Sequence, residues 1–294
     1  MTEFGINLMR KAGFEETDFT ALMNAERELY ANTVWNEFLR TSPENYVNNS
    51  EELLDRLEEF SKETGIHKFT LALLHLAEHF TTLDGIYRER GIPEEFLLAL
   101  AQDIYSKNIE TKLMYGVCGM RCYEFYIPFF NLGRFAIGRL EYEYRVYNGP
   151  TVRIGGIDVK AGDHITGMHI PSGSPLTREA CLESLKNAFT FFGCTKDKPL
   201  IVHCNTWLLN PAHTMMLSRP SNLLDFMDMF HPVGVMEQEG FPDGWRLYGH
   251  DAAKPVNEWP ENNRLQRGYK AFFLAGGKMT RGIGVLVFDG ENLL

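Results

Sequence analysis

The sequence predicts an α+β fold in which a helical N-terminal half is followed by a half that contains strands. Up to about residue 115, apolar residues recur at helical spacing, whereas from about residue 134 they alternate with a period of two. The chain has 294 residues, of which 44% are hydrophobic, so it is long enough for two domains. We therefore expect a helical domain over residues 1–130 and an α+β domain over residues 131–294.

Four helices are expected in the N-terminal half. Three of them correspond to FTALMNAERELYANTVWNEFLR, SEELLDRLEEFSKETG and IHKFTLALLHLAEHFTTLDGIYRERG, each of which carries an apolar face. Stop signals separate them at Ser42-Pro43, at Gly65 and at Gly91-Ile92-Pro93. Because proline is favoured at the first helical position, a fourth helix is expected to begin beside Pro93 and to continue through Ile104.

The second half begins with an alternating segment, RFAIGRLEYEYRVY. Its small and apolar residues would share one face of a strand, and Arg139, Glu141, Glu143 and Arg145 would share the other. Asn148-Gly149 indicates a hairpin turn, and a second turn is expected near residues 161–163. The pattern predicts a three-stranded antiparallel meander over residues 134–147, 151–159 and 163–170.

The remaining elements alternate between helix and strand. A helix is expected from Thr177 to Phe192, and PLIVHC, residues 199–204, is expected to be a buried strand. PSNLLDFMDMF is expected to be a helix with Ser221 at its N-cap. Residues 261–275 are expected to be helical, and GIGVLVFD is expected to be the final strand.

Composition excludes several classes of partner. The formal net charge is −10, whereas nucleic-acid or anionic-membrane surfaces require a basic footprint. No apolar run reaches the roughly 20 residues of a membrane span, and the N-terminus lacks an apolar signal core. The five scattered cysteines are typical of free thiols in a reducing compartment. We therefore expect a cytoplasmic protein without nucleic-acid or membrane partners, and the sequence leaves a homo-oligomer open.

The loop that precedes Thr177 is the best candidate for a ligand site. The N-terminus of a helix offers unpaired N–H groups and a positive dipole end, both of which suit phosphates. Pro171 and Pro175 donate no N–H, so an ordinary strand-to-helix turn is the alternative interpretation. The residues that would hold phosphate are Ser172, Gly173, Ser174, Leu176, Thr177 and Arg178.

The order of these elements resembles the GNAT fold of N-acetyltransferases: an antiparallel meander, a loop of small residues, then helix, strand and helix. More specifically, GIPEEFLLALAQDIYSK, RFAIGRLEYE, HIPSGSPLT, CNTWLLNP and PSNLLDFMDMF resemble a bacterial acyltransferase-like family. Its members have a helical N-acyltransferase N-terminal domain and a GNAT-like C-terminal domain. The acetyltransferase signature Gln/Arg-x-x-Gly-x-Gly/Ala is absent from residues 170–177.

The resemblance implies acetyl-CoA or another acyl-CoA as co-substrate, a small-molecule amine as acceptor, and no metal. By the same resemblance, a cleft would lie between the strands expected at 163–170 and 199–204. Its lining would include His169, His203, Cys204 and Trp207. Because the signature loop is altered, the alternative is a non-catalytic ligand-binding protein that retains a GNAT-like shell.

Acyl transfer to an amine requires a base, and the candidates are Glu141, Glu143 and His169. The two glutamates have a purely structural alternative, in which they pair with neighbouring arginines and remain solvated. His169 has the alternative of a structural histidine. Cys204 is a candidate nucleophile, with a buried, inert thiol as its alternative.

The segment HLAEH offers a different chemistry. It matches the H-x-x-E-H pattern of inverted zinc peptidases, in which His75 and His79 would bind zinc and Glu78 would act as base. No third ligand is evident, and the flanking residues are those of an ordinary amphipathic helix. A zinc peptidase is therefore the third functional hypothesis.

Overall fold

The computed structural model describes every residue from Met1 to Leu294, and it confirms the α+β fold. Twelve α-helices and eight strands are joined by turns and five short 3-10 helices. The helices are α1 (Glu3–Ala12), α2 (Glu16–Leu29), α3 (Thr33–Leu39), α4 (Ser50–Thr64), α5 (Lys68–Glu89), α6 (Glu94–Tyr115), α7 (Ile127–Phe130), α8 (Arg178–Phe191), α9 (His213–Met216), α10 (Asn222–Met227), α11 (Trp245–Tyr248) and α12 (Arg264–Leu274). The strands are β1 (Arg134–Ile137), β2 (Leu140–Val146), β3 (Val152–Ile154), β4 (Ile157–Val159), β5 (His164–His169), β6 (Leu200–Thr206), β7 (His231–Glu237) and β8 (Thr280–Phe288).

The chain forms two compact units. The first contains Met1–Ile137 together with Pro171–Gly173, and the second contains Gly138–Ile170 and Ser174–Leu294. The three-residue segment Pro171–Gly173 therefore packs with the helices of the first unit, although its sequence neighbours on both sides belong to the second. None of the helices in either unit is both long and apolar enough to cross a lipid bilayer.

Helix α5 is the centre of the first unit, where α1, α2, α4 and α6 pack around it. Its residues from Thr70 to Phe80 are buried on nearly all sides, which is the reason that this part of its sequence is apolar beyond a single stripe. The helix that was expected to run through α2 and α3 without interruption is broken instead. The side chain of Asn32 accepts a hydrogen bond from the amide of Trp35 at 2.9 Å and thereby begins a new helix.

The sheet of the second unit contains strands in the order β2-β5-β6-β8-β7. Strands β2 and β5 are antiparallel over six residue pairs, and β8 is antiparallel to both of its neighbours, β6 and β7. Strands β5 and β6 are parallel, but they pair only at Thr166–Val202 and Gly167–His203. The sheet is therefore mixed, and the parallel pairing of β5 with β6 involves fewer residues than the antiparallel pairings described here.

The predicted three-stranded meander was wrong in detail. The expected first strand is divided at Gly138, which has φ +63°, a left-handed conformation that ends β1 before β2 begins. The expected second strand is a separate hairpin of β3 and β4, which turns at Gly155-Gly156. Strand β2 consequently pairs directly with β5. Two adjacent glycines within a strand pattern were the sequence signal for that turn.

Helix α8 covers one face of this sheet. Its buried residues are Cys181, Ser184, Leu185 and Ala188, and the Ser184 hydroxyl lies 2.9 Å from the hydroxyl of Tyr142 on β2. The β3–β4 hairpin packs against part of the opposite face in a cluster that contains Val159, Ile165, Val285 and Val287. Polar residues of β2, β5 and β6 occupy the rest of that opposite face.

Candidate functional site

A carboxylate and an imidazole meet on the face of the sheet that lies opposite α8. In the antiparallel register, Glu141 lies across from His169 and Glu143 lies across from Gly167, so these residues share one face. The Oε2 atom of Glu143 is 3.0 Å from Nε2 of His169, and its Oε1 atom is 3.7 Å from a guanidinium nitrogen of Arg145. The three side chains form a line of alternating charge along the sheet when His169 is protonated.

Burial differs sharply among the members of this cluster. The Glu141 residue is 1% exposed, so the interpretation of Glu141 as a solvated surface carboxylate is wrong. The side chains of His169 and Glu143 remain 31% and 20% exposed, respectively. An imidazole in this position is accessible to a small molecule and is also held by a carboxylate, which is the arrangement that a general base needs.

Strand β6 brings two further polar residues to the same face. His203 pairs with Gly167 in the parallel register, and Asn205 follows it by two residues, so both side chains point to one side. Nδ1 of His203 and Oδ1 of Asn205 are buried without a hydrogen-bond partner. Burial lowers the pKa of His203, and the charge of Arg145 lowers it further.

The two strands separate immediately beyond this point. After the Gly167–His203 pair, the backbones of β5 and β6 make no further ladder contacts, although each strand continues for at least two residues. His169 and Asn205 belong to these unpaired ends. Strands that part in this way leave backbone groups available to a ligand that enters between them.

Cys204 does not line this opening. Its side chain points to the opposite face of the sheet, it is fully buried, and its thiol contacts the backbone oxygen of Met168. Burial raises the pKa of the Cys204 thiol to about 12. Since the thiolate is the nucleophilic form, these properties argue against the proposed nucleophile and favour the inert alternative. Trp207 belongs to a separate aromatic cluster with Tyr248, Trp259 and Tyr269.

The candidate phosphate loop is held at its start by α6. The hydroxyl of Ser172 donates a hydrogen bond to the carboxylate of Glu110 at 2.6 Å and accepts one from Lys107 at 3.3 Å. The hydroxyl of Ser106 donates to the backbone oxygen of Ser172. The side chain of Ser172 is thus an anchor for the loop, a role that the sequence analysis did not assign to it.

The middle of the loop is open. Gly173, Ser174 and Pro175 are exposed, and Gly173 has φ +99°, a conformation that favours glycine. The side chain of Thr177 accepts a hydrogen bond from the amide of Ala180 at 3.2 Å, which confirms Thr177 as the N-cap of α8. The amides of the first turn before Ala180 have no acceptor within the chain.

The remaining predicted loop residues have limited freedom. Leu176 and Thr177 are half-buried. The guanidinium of Arg178 donates a hydrogen bond to the backbone oxygen of Asp225, with a nitrogen-to-oxygen distance of 3.4 Å. Arg139 donates to the backbone oxygen of Pro175 and holds the second half of the loop. The free amides of the first turn and the guanidinium of Arg139 are therefore the positive groups at this helix end.

The zinc-peptidase hypothesis is wrong. His75 is fully buried, and its ring nitrogens lie within hydrogen-bonding distance of the Tyr123 hydroxyl and of the backbone oxygen of Thr41. A carboxylate oxygen of Glu78 lies 3.2 Å from the N-terminal amine of Met1. No group of three or more metal-ligating side chains is assembled here or elsewhere in the chain. The pattern belongs to a central helix whose histidines pack in the core.

Asn205 and Arg145 lie in the candidate site but were not among the residues predicted for it. The signal for Asn205 was available, because His203 and Asn205 are two residues apart in an otherwise apolar strand and must share a face. Arg145 was assigned to the correct face of its strand. Its position beside Glu143 and near His203 depends on the register with β5 and β6, which the sequence does not specify.

Comparison with known proteins identifies the family of the C-terminal domain and the fold of the chain. Residues 135–286, slightly more than half of the chain, match the family model of the GNAT-like C-terminal domain. No curated protein matches the chain. Two similar crystal structures are those of an acyltransferase mutant in complex with octanoyl-CoA, with a TM-score of 0.76, and of an acyltransferase in complex with decanoyl-CoA and teicoplanin, with a TM-score of 0.74. In each case 98% of this chain and 88% of the other are covered at 18% identity, so the likeness is one of fold.

Proposed function

The chain belongs to the family of proteins with a GNAT-like C-terminal domain, and on that premise we propose that it transfers an acyl group from an acyl-CoA thioester to a small-molecule amine. The observation that carries the proposal is the separation of β5 from β6 immediately beside His169, where buried polar atoms of His203 and Asn205 have no protein partner. Unpartnered buried polar atoms are costly, so a ligand that satisfies them would be stabilised there.

His169 is the base in this proposal. The amine nitrogen attacks the thioester carbonyl carbon, a C–N bond forms, and the C–S bond breaks with its electron pair leaving on sulfur. The proton that the amine loses goes to the imidazole of His169, and the carboxylate of Glu143, 3.0 Å away, stabilises the imidazolium. Glu141, which is buried, lies across from His169 in the antiparallel register.

The donor would be held by backbone amides. The exposed loop at Gly173 and Ser174 and the unpaired amides in the first turn of α8 provide donors for phosphate oxygens. Catalysis would then depend mainly on positioning, because direct attack needs no covalent intermediate on the enzyme. Octanoyl-CoA and decanoyl-CoA, which the similar structures contain, are the first donors to test.

The direct test is to incubate the protein with decanoyl-CoA and a panel of primary amines that includes teicoplanin, and to identify products by mass spectrometry. We expect an amide whose mass equals that of the amine plus the acyl group. Water can replace the amine, so release of coenzyme A without acceptor provides a readout that does not depend on the panel. If calorimetry shows no binding of decanoyl-CoA, or binding without any His169-dependent release of coenzyme A, the acyl-transfer proposal fails.

A further inference from the structure

A second concave surface lies between α9 and α12 of the second unit. It has a volume of about 480 Å³, and we call it the α9–α12 groove. Pockets of about 300 to 1,000 Å³ are typical of small-molecule sites. None of its residues belongs to the strands that carry His169 and His203. The lining consists of Met215, Met216, Arg264, Arg267, Gly268, Ala271 and Phe272.

One rim of the groove is cationic. Arg264 and Arg267 are exposed, and neither has a carboxylate partner. Arg264 donates to the hydroxyl of Ser218 at 3.4 Å, and Arg267 donates to the backbone oxygen of Glu261 at 2.8 Å. The carboxylate of Glu261 is held instead by Lys270 at 2.8 Å. Both guanidinium groups are therefore available to an anion in the groove.

The helix itself adds to this positive charge. Arg264 is the first residue of α12, Asn263 is its N-cap, and the first turn contains no acidic residue. The positive end of the helix dipole therefore coincides with the two arginines. An anion at this end of the groove would meet two guanidinium groups and a favourable dipole, with no carboxylate of the first turn to oppose it.

The rest of the groove is apolar. Met215 is 78% exposed, and Met216 and Phe272 are half-buried beside it. Gly268 allows α12 to approach α9 closely, because a Cβ atom at that position would lie 2.8 Å from Cβ of Met216. The groove thus offers a flexible apolar surface next to a cationic end, which is complementary to a molecule with an anionic head and an aliphatic chain.

We propose that the α9–α12 groove binds a free fatty acid, with its carboxylate at Arg264 and Arg267 and its chain over Met215, Met216 and Phe272. This site is additional to the proposed acyl-transfer site and does not require that reaction. The two guanidinium groups supply charge-assisted hydrogen bonds, and burial of the chain against the methionines supplies the apolar contribution.

The test is calorimetric titration of the full-length protein with decanoate below its micellar concentration, compared with decanol and acetate. We expect decanoate to bind with an affinity that falls as salt is added. The double variant Arg264→Gln/Arg267→Gln should bind decanoate at least about tenfold more weakly, since two exposed charge contacts are removed. Acetate should bind much more weakly than decanoate, and Met215→Gln should weaken decanoate but leave acetate unchanged.

Arg153→Gln is the matched control, because Arg153 is an exposed arginine of the β3–β4 hairpin far from the groove in sequence. Equal binding of decanoate by the double variant and by this control would place decanoate elsewhere and overturn the proposal. Binding to phosphatidylglycerol vesicles that depends on both arginines, without binding of free decanoate, would also overturn it in favour of a lipid surface. The His169→Gln variant should bind decanoate like the unmodified protein, which separates this result from any failure of acyl transfer.

Discussion

The carboxylate of Glu143 lies 3.0 Å from Nε2 of His169, across two antiparallel strands whose register fixes both side chains on one face. This relationship makes His169 the centre of the proposed chemistry. Replacement of His169 by Gln should lower kcat by about 10²- to 10⁴-fold, the usual contribution of a positioned general base, and leave the KM for decanoyl-CoA within about twofold. Steady-state kinetics would measure this. His164→Gln, an exposed histidine at the start of the same strand, is the control and should retain full activity.

Cys204 should be dispensable for catalysis. Its thiol is buried, and burial raises its pKa to about 12, so almost no thiolate exists at neutral pH. Cys204→Ala should keep kcat within about twofold, while the small cavity lowers stability by about 1 kcal/mol. Turnover and urea unfolding of the same preparation would give both quantities. A hundredfold loss of kcat in a folded variant would restore the nucleophile hypothesis.

The hydroxyl of Ser172 should matter for stability more than the hydroxyl of Ser174. Ser172 bonds to Glu110 and Lys107, whereas Ser174 is exposed. A hydrogen bond to a charged group contributes about 1.5 to 3 kcal/mol, so Ser172→Ala should lower the free energy of unfolding by that amount. Ser174→Ala should change it by less than about 0.5 kcal/mol. Equal effects in chemical denaturation would show that Ser172 is no anchor.

Gly173 and Gly85 provide a matched pair of glycine substitutions. Gly173 has φ +99°, so Gly173→Ala should destabilise the protein by about 1 kcal/mol or more. Gly85 lies within α5 with nothing near its missing Cβ, so Gly85→Ala should stabilise it by up to about 1 kcal/mol. Thermal denaturation would measure both shifts. A rise in the melting temperature of Gly173→Ala would show that the left-handed conformation is not maintained.

Acidification should destabilise the protein through its buried histidines. Burial lowers the pKa of His213 from 6.5 to about 4, so between these values the unfolded chain binds a proton that the folded chain does not. The stability contributed by neutral His213 is complete above pH 6.5 and is lost as the pH falls towards 4, reaching about 2 kcal/mol of loss at pH 5. Urea unfolding at pH 7.5 and pH 5 would show a smaller pH dependence in His213→Gln, whatever its absolute stability. An unchanged pH dependence would mean that the ring is charged in the folded protein.

The sequence predicted those elements whose signals are local. Thr177 begins α8, Ser221 caps α10, and Gly65 ends α4, because each depends on residues within one helical turn. Strand β7 was missed, since Pro232 and Gly234 weaken its strand pattern. In the structure it is an exposed edge strand with an irregular register at those residues, where both are tolerated.

The sequence predicted several residues of the candidate site, but it did not predict the contacts that these residues make. His169 and Glu143 were both identified, but their contact depends on a register that links β2 to β5 across the β3–β4 hairpin. The anchoring of Ser172 depends on Lys107 and Glu110, more than 60 positions earlier in the chain. A local sequence pattern does not predict contacts between residues so far apart in the chain. For that reason Ser172 was assigned to phosphate binding alone.

The membership of Pro171–Gly173 in the helical unit has a consequence for any attempt to dissect the chain. A fragment that stops after Ile137 would lack Ser172, and the buried ammonium of Lys107 would lose a hydroxyl neighbour between Asp103 and Glu110. An exchange of helical domains between relatives would lose the same contact unless residues Pro171–Gly173 were exchanged together with α6. The helical unit is thus encoded by two separate stretches of sequence, although it is compact in space.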